Sequence, residues 1–139
     1  MDTELESFLN TLGEAERAGG RVLHELMELC GESLDLRELL RKVAHDEGYF
    51  AGELAAHVRR LGGNPSSRMG DFVEKVRAVG DLRGKLELLN RGQRWVMRKI
   101  NERVASIDDA RLAAFLRVMA DAHETNIGAV DKMLAAPPR

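Results

Sequence analysis

The chain has 139 residues, 44% of them apolar and 32% charged, and its 21 Lys and Arg against 23 Asp and Glu leave a formal net charge of −2. That length suits one domain around a single elongated core, and near-balanced, interspersed charge gives no reason to expect nucleic acid as a partner. A lone cysteine, Cys30, excludes an intramolecular disulfide and a cysteine cluster within the chain and fits a reducing, cytoplasmic setting, while the acidic start and the lack of a run of roughly 18 apolar residues argue against a signal peptide and a membrane span.

Apolar residues recur at helical spacing through most of the sequence, with no sustained period-2 alternation, so an all-α fold is expected. The first helix is predicted over about 3–30, with Leu5, Leu9, Leu12, Glu16, Gly19, Leu23, Leu26 and Cys30 on one stripe and Gly31 as its stop. The second spans about 35–62, opening on Asp35 as N-cap with Glu38 three residues on, carrying Leu40, Val43, Glu47, Phe50, Leu54 and His57, and ending at Gly62-Gly63-Asn64-Pro65. Residues 63–84 read as a connection with a short helix over 71–79. The third long helix, about 85–105, aligns Leu86, Leu89, Gln93, Val96 and Ile100 with Asn90 beside them. The fourth, about 108–135, begins at Asp108 or Asp109 and aligns Leu112, Leu116, Met119, His123, Asn126, Val130 and Met133, before a frayed tail at 137–139. Two helices in a tight hairpin, a long connection holding much of the Gly and Pro, and two more helices suggest an antiparallel four-helix bundle with one long crossover between helices 2 and 3.

Each stripe is interrupted near its midpoint by a polar residue: Glu16, Glu47, Asn90 or Gln93, and His123. Mid-height residues share a layer whichever way each helix runs. Two core-facing carboxylates at one level need a partner, a proton or a metal, because burying a lone carboxylate costs several kcal/mol.

Leu9-Asn10 followed by Glu16, and Glu47 ahead of Leu61-Gly62-Gly63-Asn64-Pro65, give the sequence a pattern that resembles the ferritin, bacterioferritin and rubrerythrin superfamily over nearly its whole length. The resemblance implies a ferritin-like bundle and a di-metal centre built from Glu, Glu-x-x-His, Glu and Glu-x-x-His on successive helices. Glu16 and Glu47 match the first two carboxylates. Phe50 stands where the second-helix His belongs, Asn90 or Gln93 where the third-helix Glu belongs, and His123-x-x-Asn126 replaces Glu-x-x-His unless the register shifts to Glu124. The residual set of Glu16, Glu47 and His123, with Glu124 as a further candidate, could hold one Fe, Mn or Zn ion. Equally, it could form a metal-free hydrogen-bonded ring, with Arg91 or Arg94 turned inward against the carboxylates.

Other residues read more plainly. Glu53 and His57 form a surface i,i+4 pair lacking a third ligand; His45 faces outward and His24 lies at the stripe's edge. Trp95 is expected as a core-edge or dimer-interface anchor rather than a ligand platform. Cys30 is expected to be structural. Arg91, Arg94, Arg98, Lys99 and Arg103 make a solvated helix face, and Gly19-Gly20 implies close approach of another helix or backbone. The sequence thus favours a bundle protein without a complete di-iron centre, a homodimer acting through structure or interaction; the alternative is a metal-binding protein or oxidoreductase using the residual site.

Overall fold

The computed structural model describes residues 1–136, and the expected frayed tail lies outside them. Among the described residues all regular structure is helical: α1 (Thr3–Glu28), α2 (Leu34–Arg60), a short α3 (Phe72–Arg77), α4 (Leu82–Arg103) and α5 (Ala110–Ala135), with one 3-10 turn at Val104–Ser106. No helix among them is long and apolar enough to cross a membrane.

Local chemistry sets several helix ends. The Asp2 carboxylate accepts from the Glu4 amide at 2.9 Å, with Glu4 and Glu6 in the first turn, where the helix dipole favours negative charge. At the end of α2, Gly62 adopts φ +88°, so that its N–H reaches the Arg59 carbonyl and the Gly63 N–H reaches that of Val58, satisfying two terminal carbonyls. Asp109 opens α5 by accepting from the Leu112 amide at 2.8 Å while holding both terminal nitrogens of Arg60 at 2.8 and 3.0 Å.

Several boundaries differ from expectation. α1 ends two residues early and Gly31, at φ +58°, serves the following turn. α2 starts at Leu34 after Ser33, so Asp35 supplies first-turn charge rather than the cap. α4 begins at Leu82 and absorbs Gly84, because the stripe of Leu86 and Leu89 extends back to Leu82, which packs on the same core.

Four long helices stand at four corners: α1 packs on α2 and α4, and α5 on α4 and α2. α1 and α5 are diagonal, and their backbones do not approach closely; long polar side chains span the gap. The apolar interior falls into two clusters. One includes Leu9, Leu12, Leu54, Ile100, Leu112 and Leu116; the other includes Leu23, Leu26, Leu40, Val43, Leu86 and Val130. Along α1 and α5 the chain passes from the first cluster to the second, and along α2 and α4 from the second to the first. Glu16, Glu47, Asn90, Gln93, His123 and Asn126, all buried, lie where each helix changes cluster.

The connection after α2 is strapped to α1 by polar side chains. Glu6 accepts from the Asn64 amide at 2.7 Å, Asn10 donates to the Asn64 carbonyl at 2.9 Å and accepts from Ser66 at 2.8 Å, and the Arg17 guanidinium donates to the Arg68 carbonyl at 2.7 and 3.1 Å. This strap delivers Met69, Gly70 and Asp71 to a position over the polar layer.

Candidate metal centre

Helical periodicity brings Glu16 from α1, Glu47 from α2 and His123 from α5 inward at one level, each no more than 3% exposed. One donor atom from each lies within 4.8 Å of the others. His123 Nδ1 is 2.9 Å from the Met119 carbonyl; a carbonyl can only accept, so Nδ1 carries the proton. Nε2 is thereby aimed at the carboxyls, 3.3 Å from Glu16 Oε2 and 3.9 Å from Glu47 Oε2. Glu16 Oε1 is nearer, at 3.0 Å, but without hydrogen-bond geometry, and Glu16 Oε1 and Glu47 Oε2 are buried with no hydrogen-bond partner.

Room for this arrangement comes from Gly19, one turn beyond Glu16. A Cβ there would sit 2.9 Å from Glu47 Oε1 and 3.2 Å from its Cδ. The close approach expected at Gly19-Gly20 is therefore to a carboxyl group, and Gly20 meets only Glu47 Cβ at 3.9 Å.

Burial is the main reason that the Glu16 carboxyl is pushed up from 4.5 to about 7; its bond to Glu47 works the other way, and Asp46 adds to the rise. Glu47 is pushed well above the ordinary range, first by burial, then by Glu16 through charge and hydrogen bonding, against the opposing pull of His123. No Lys or Arg pairs with either carboxyl among the described residues. The inward arginine expected from the sequence is absent: Arg91 is exposed, and Arg94 pairs with Asp131 on the outside. An arginine at either position stands on the outer face of α4, beside the stripe rather than on it.

The remaining candidates separate. Glu124 is exposed, since one helical residue turns it about 100° from His123, so the alternative register is not adopted. Asn90 donates to the Ile127 carbonyl at 3.1 Å and to Asp131 at 2.8 Å, tying α4 to α5. Asn126 accepts from Lys42 at 2.6 Å and donates to Asp46 at 3.0 Å, tying α5 to α2. Phe50 sets its ring 5.8 Å from that of His123 and walls the site. Gln93 is buried with both amide atoms unpartnered. His57, on the apolar stripe of α2, is 8% exposed against Phe115 and accepts from Arg60 at 3.0 Å, so it is buried as the stripe implies and not part of a surface pair with Glu53. His24 and His45 are exposed, and Cys30 is buried with its thiol 3.4 Å from the Leu26 carbonyl.

A cavity of about 410 Å³ runs from the exposed Met69-Gly70-Asp71 segment to Glu16, Glu47 and Gln93. Sequence reasoning missed it, because its wall combines α1 and α4 with the connection. Trp95, expected as an anchor, forms part of that wall.

The sequence profile of a domain of unknown function, DUF6306, matches residues 3–132. The chain belongs to the DUF6306 family. No curated protein matches it. All three candidate ligands of this DUF6306 domain fall inside the matched span, as do the cavity and the strap from α1.

The donor set fits a divalent cation. Two carboxylates would balance its charge, the imidazole with its Nδ1 proton on the Met119 carbonyl would offer Nε2 as a ligand in its neutral form, two oxygens lack partners, and three protein ligands leave positions open toward the cavity.

Proposed function

We propose that this DUF6306 domain is a metal-binding protein with a ferritin-like four-helix architecture, holding one Fe, Mn or Zn ion through Glu16, Glu47 and His123. The observation that carries the reading is a buried pair of carboxyls with unpartnered oxygens and an imidazole whose Nδ1 carries the proton, without a Lys or Arg among the described residues to neutralise them. The ferritin-like part is supported by the cluster order, which makes neighbouring long helices antiparallel and requires the 61–81 connection to cross the length of the molecule.

A divalent cation supplies Lewis acidity and, for iron or manganese, electron transfer toward oxygen or peroxide. The chain's own contribution is positional. Met119 holds the His123 ring, Gly19 leaves space for the Glu47 carboxyl, and Phe50 and the two apolar clusters limit water around the layer. The cavity leaves the layer open to small molecules from the Met69-Gly70-Asp71 segment.

Metal analysis of protein purified without supplement or chelator tests the reading: about one equivalent of Fe, Mn or Zn per chain is expected, and Glu16→Gln with Glu47→Gln should lose it. Metal-free protein that binds none of these ions on titration would overturn it.

A second reading rests on the 3.3 Å hydrogen bond between His123 Nε2 and Glu16 Oε2. In it, an imidazolium, one carboxylate and one protonated carboxyl form a closed ring, and the domain acts through structure or interaction. The same double substitution then lowers stability without changing a metal content of zero.

A further inference from the structure

The cavity beside the polar layer is built unevenly. Its walls are apolar and partly aromatic, including Phe72, Leu89, Trp95 and Val96, and its inner end carries Gln93. That side chain is 3% exposed, and neither its oxygen nor its nitrogen has a partner. A buried primary amide with a donor and an acceptor unused is costly, because it has left water without replacing its hydrogen bonds. The amide lines a space that reaches the surface at Met69-Gly70-Asp71. At about 410 Å³ the space is in the lower part of the range of about 300–1,000 Å³ typical of small-molecule pockets.

We infer that this cavity binds an uncharged small molecule with a flat, ring-sized apolar body and one hydroxyl or amide head, the head hydrogen-bonded to Gln93 and the body between Trp95 and Phe72. Charge selects the class. An anion would face the Glu16 and Glu47 carboxyls at the same inner end, and a cation already has its partners in them if a metal is bound. A head that both donates and accepts matches an amide that does the same. The strap from α1 holds the mouth segment in place, so the opening is part of the fold.

Trp95 is the chain's one tryptophan, and its emission reports directly on the cavity wall. Purified protein, with its metal content measured, is titrated with phenol, toluene, benzylamine and benzoate, following emission and heat of binding. Phenol is expected to saturate and to bind roughly tenfold more tightly than toluene, the typical worth of one hydrogen bond to a buried group. Gln93→Leu should erase that preference while toluene still binds, and circular dichroism should show the variant's helices intact. Failure of every probe to saturate, equal binding of phenol and toluene by the wild type, or a phenol preference that survives Gln93→Leu would each overturn the inference. Tightest binding by benzylamine would also overturn it, making the carboxyls an ammonium site. The phenol, toluene and Gln93→Leu outcomes do not depend on whether Glu16, Glu47 and His123 hold a metal, and the benzylamine arm is read on metal-loaded protein, so the two proposals fail separately.

Discussion

Replacing Gly19 by Ala separates the site from the scaffold. In a helix interior Ala is favoured over Gly by about 1 kcal/mol, so on helix propensity alone the substitution stabilises α1. Its Cβ would arrive 2.9 Å from Glu47 Oε1 and 3.2 Å from Cδ, closer than such atoms rest, and the contact is with the end of a side chain. The Glu47 carboxyl must swing away, which misplaces one of three ligand groups while leaving the two apolar clusters intact. The expected outcome is a thermal midpoint near that of the wild type in metal-free protein, together with a loss of metal affinity of about 10- to 100-fold, the range for changes that disturb ligand orientation. Gly20→Ala is the control. Its nearest new neighbour would be Glu47 Cβ at an ordinary 3.9 Å, so it should gain helix stability and keep the metal. Calorimetric titration with Mn or Zn and thermal unfolding followed by circular dichroism measure both quantities. Full metal affinity in Gly19→Ala, or an equal loss in Gly20→Ala, would show that Glu47 is not a ligand in the arrangement described.

Removing both carboxyls with Glu16→Gln and Glu47→Gln should abolish metal binding yet leave the protein helical and, at pH 8 without metal, no less stable than the wild type, as read by urea unfolding. Metal-free wild type should lose stability as pH rises between about 4.5 and 7. The native Glu16 carboxyl keeps its proton up to about 7 where the unfolded chain releases it near 4.5, so the native state binds more protons in that window. At about 1.4 kcal/mol for each tenfold step Glu16 accounts for about 3 kcal/mol of the loss, and Glu47, also raised, adds to it in the same direction. His57, held below its usual value mainly by burial, works weakly in the opposite direction below 6.5, so the slope should be measured against Glu16→Gln, which should reduce it to the part that Glu47 carries. Saturating Mn or Zn should reverse the slope, since a cation favours ionised carboxylates; a slope unchanged by metal would count against coordination by Glu16. Asp109→Ala removes the α5 cap and the Arg60 pair together. It should lower the thermal midpoint without altering metal stoichiometry, and a loss of metal would mean that the site depends on the far end of α5.

The core was legible in the sequence because helical periodicity places side chains by arithmetic: Leu9, Leu12, Leu23 and Leu26 are buried where the stripe puts them. The same arithmetic brought Glu16, Glu47 and His123 to one layer, while the cost of glycine in a helix pointed to a close approach at Gly19-Gly20, which is made by the Glu47 carboxyl and not by another backbone. Periodicity says nothing of contacts across the connection, so the strap from Glu6, Asn10 and Arg17 and the cavity it roofs were hidden. It also leaves the partners of a polar side chain undecided. Asn90 and Asn126 are in the expected layer, but each is spent on a neighbouring helix, and the arginines expected inside are outside. Glu124 fell out because His123 takes the inward position and one residue along a helix is a third of a turn away. Helix ends shifted by a few residues where a side-chain cap was absent, as at Ser33 and Asp81.

The most direct test of the central claim is anomalous scattering from crystals of protein purified without chelator, with data collected at the iron, manganese and zinc edges. A single peak within about 2.0–2.3 Å of a Glu16 oxygen, a Glu47 oxygen and His123 Nε2 is the predicted result. An empty layer in protein soaked with each metal, with His123 Nε2 bonded directly to Glu16, would contradict it.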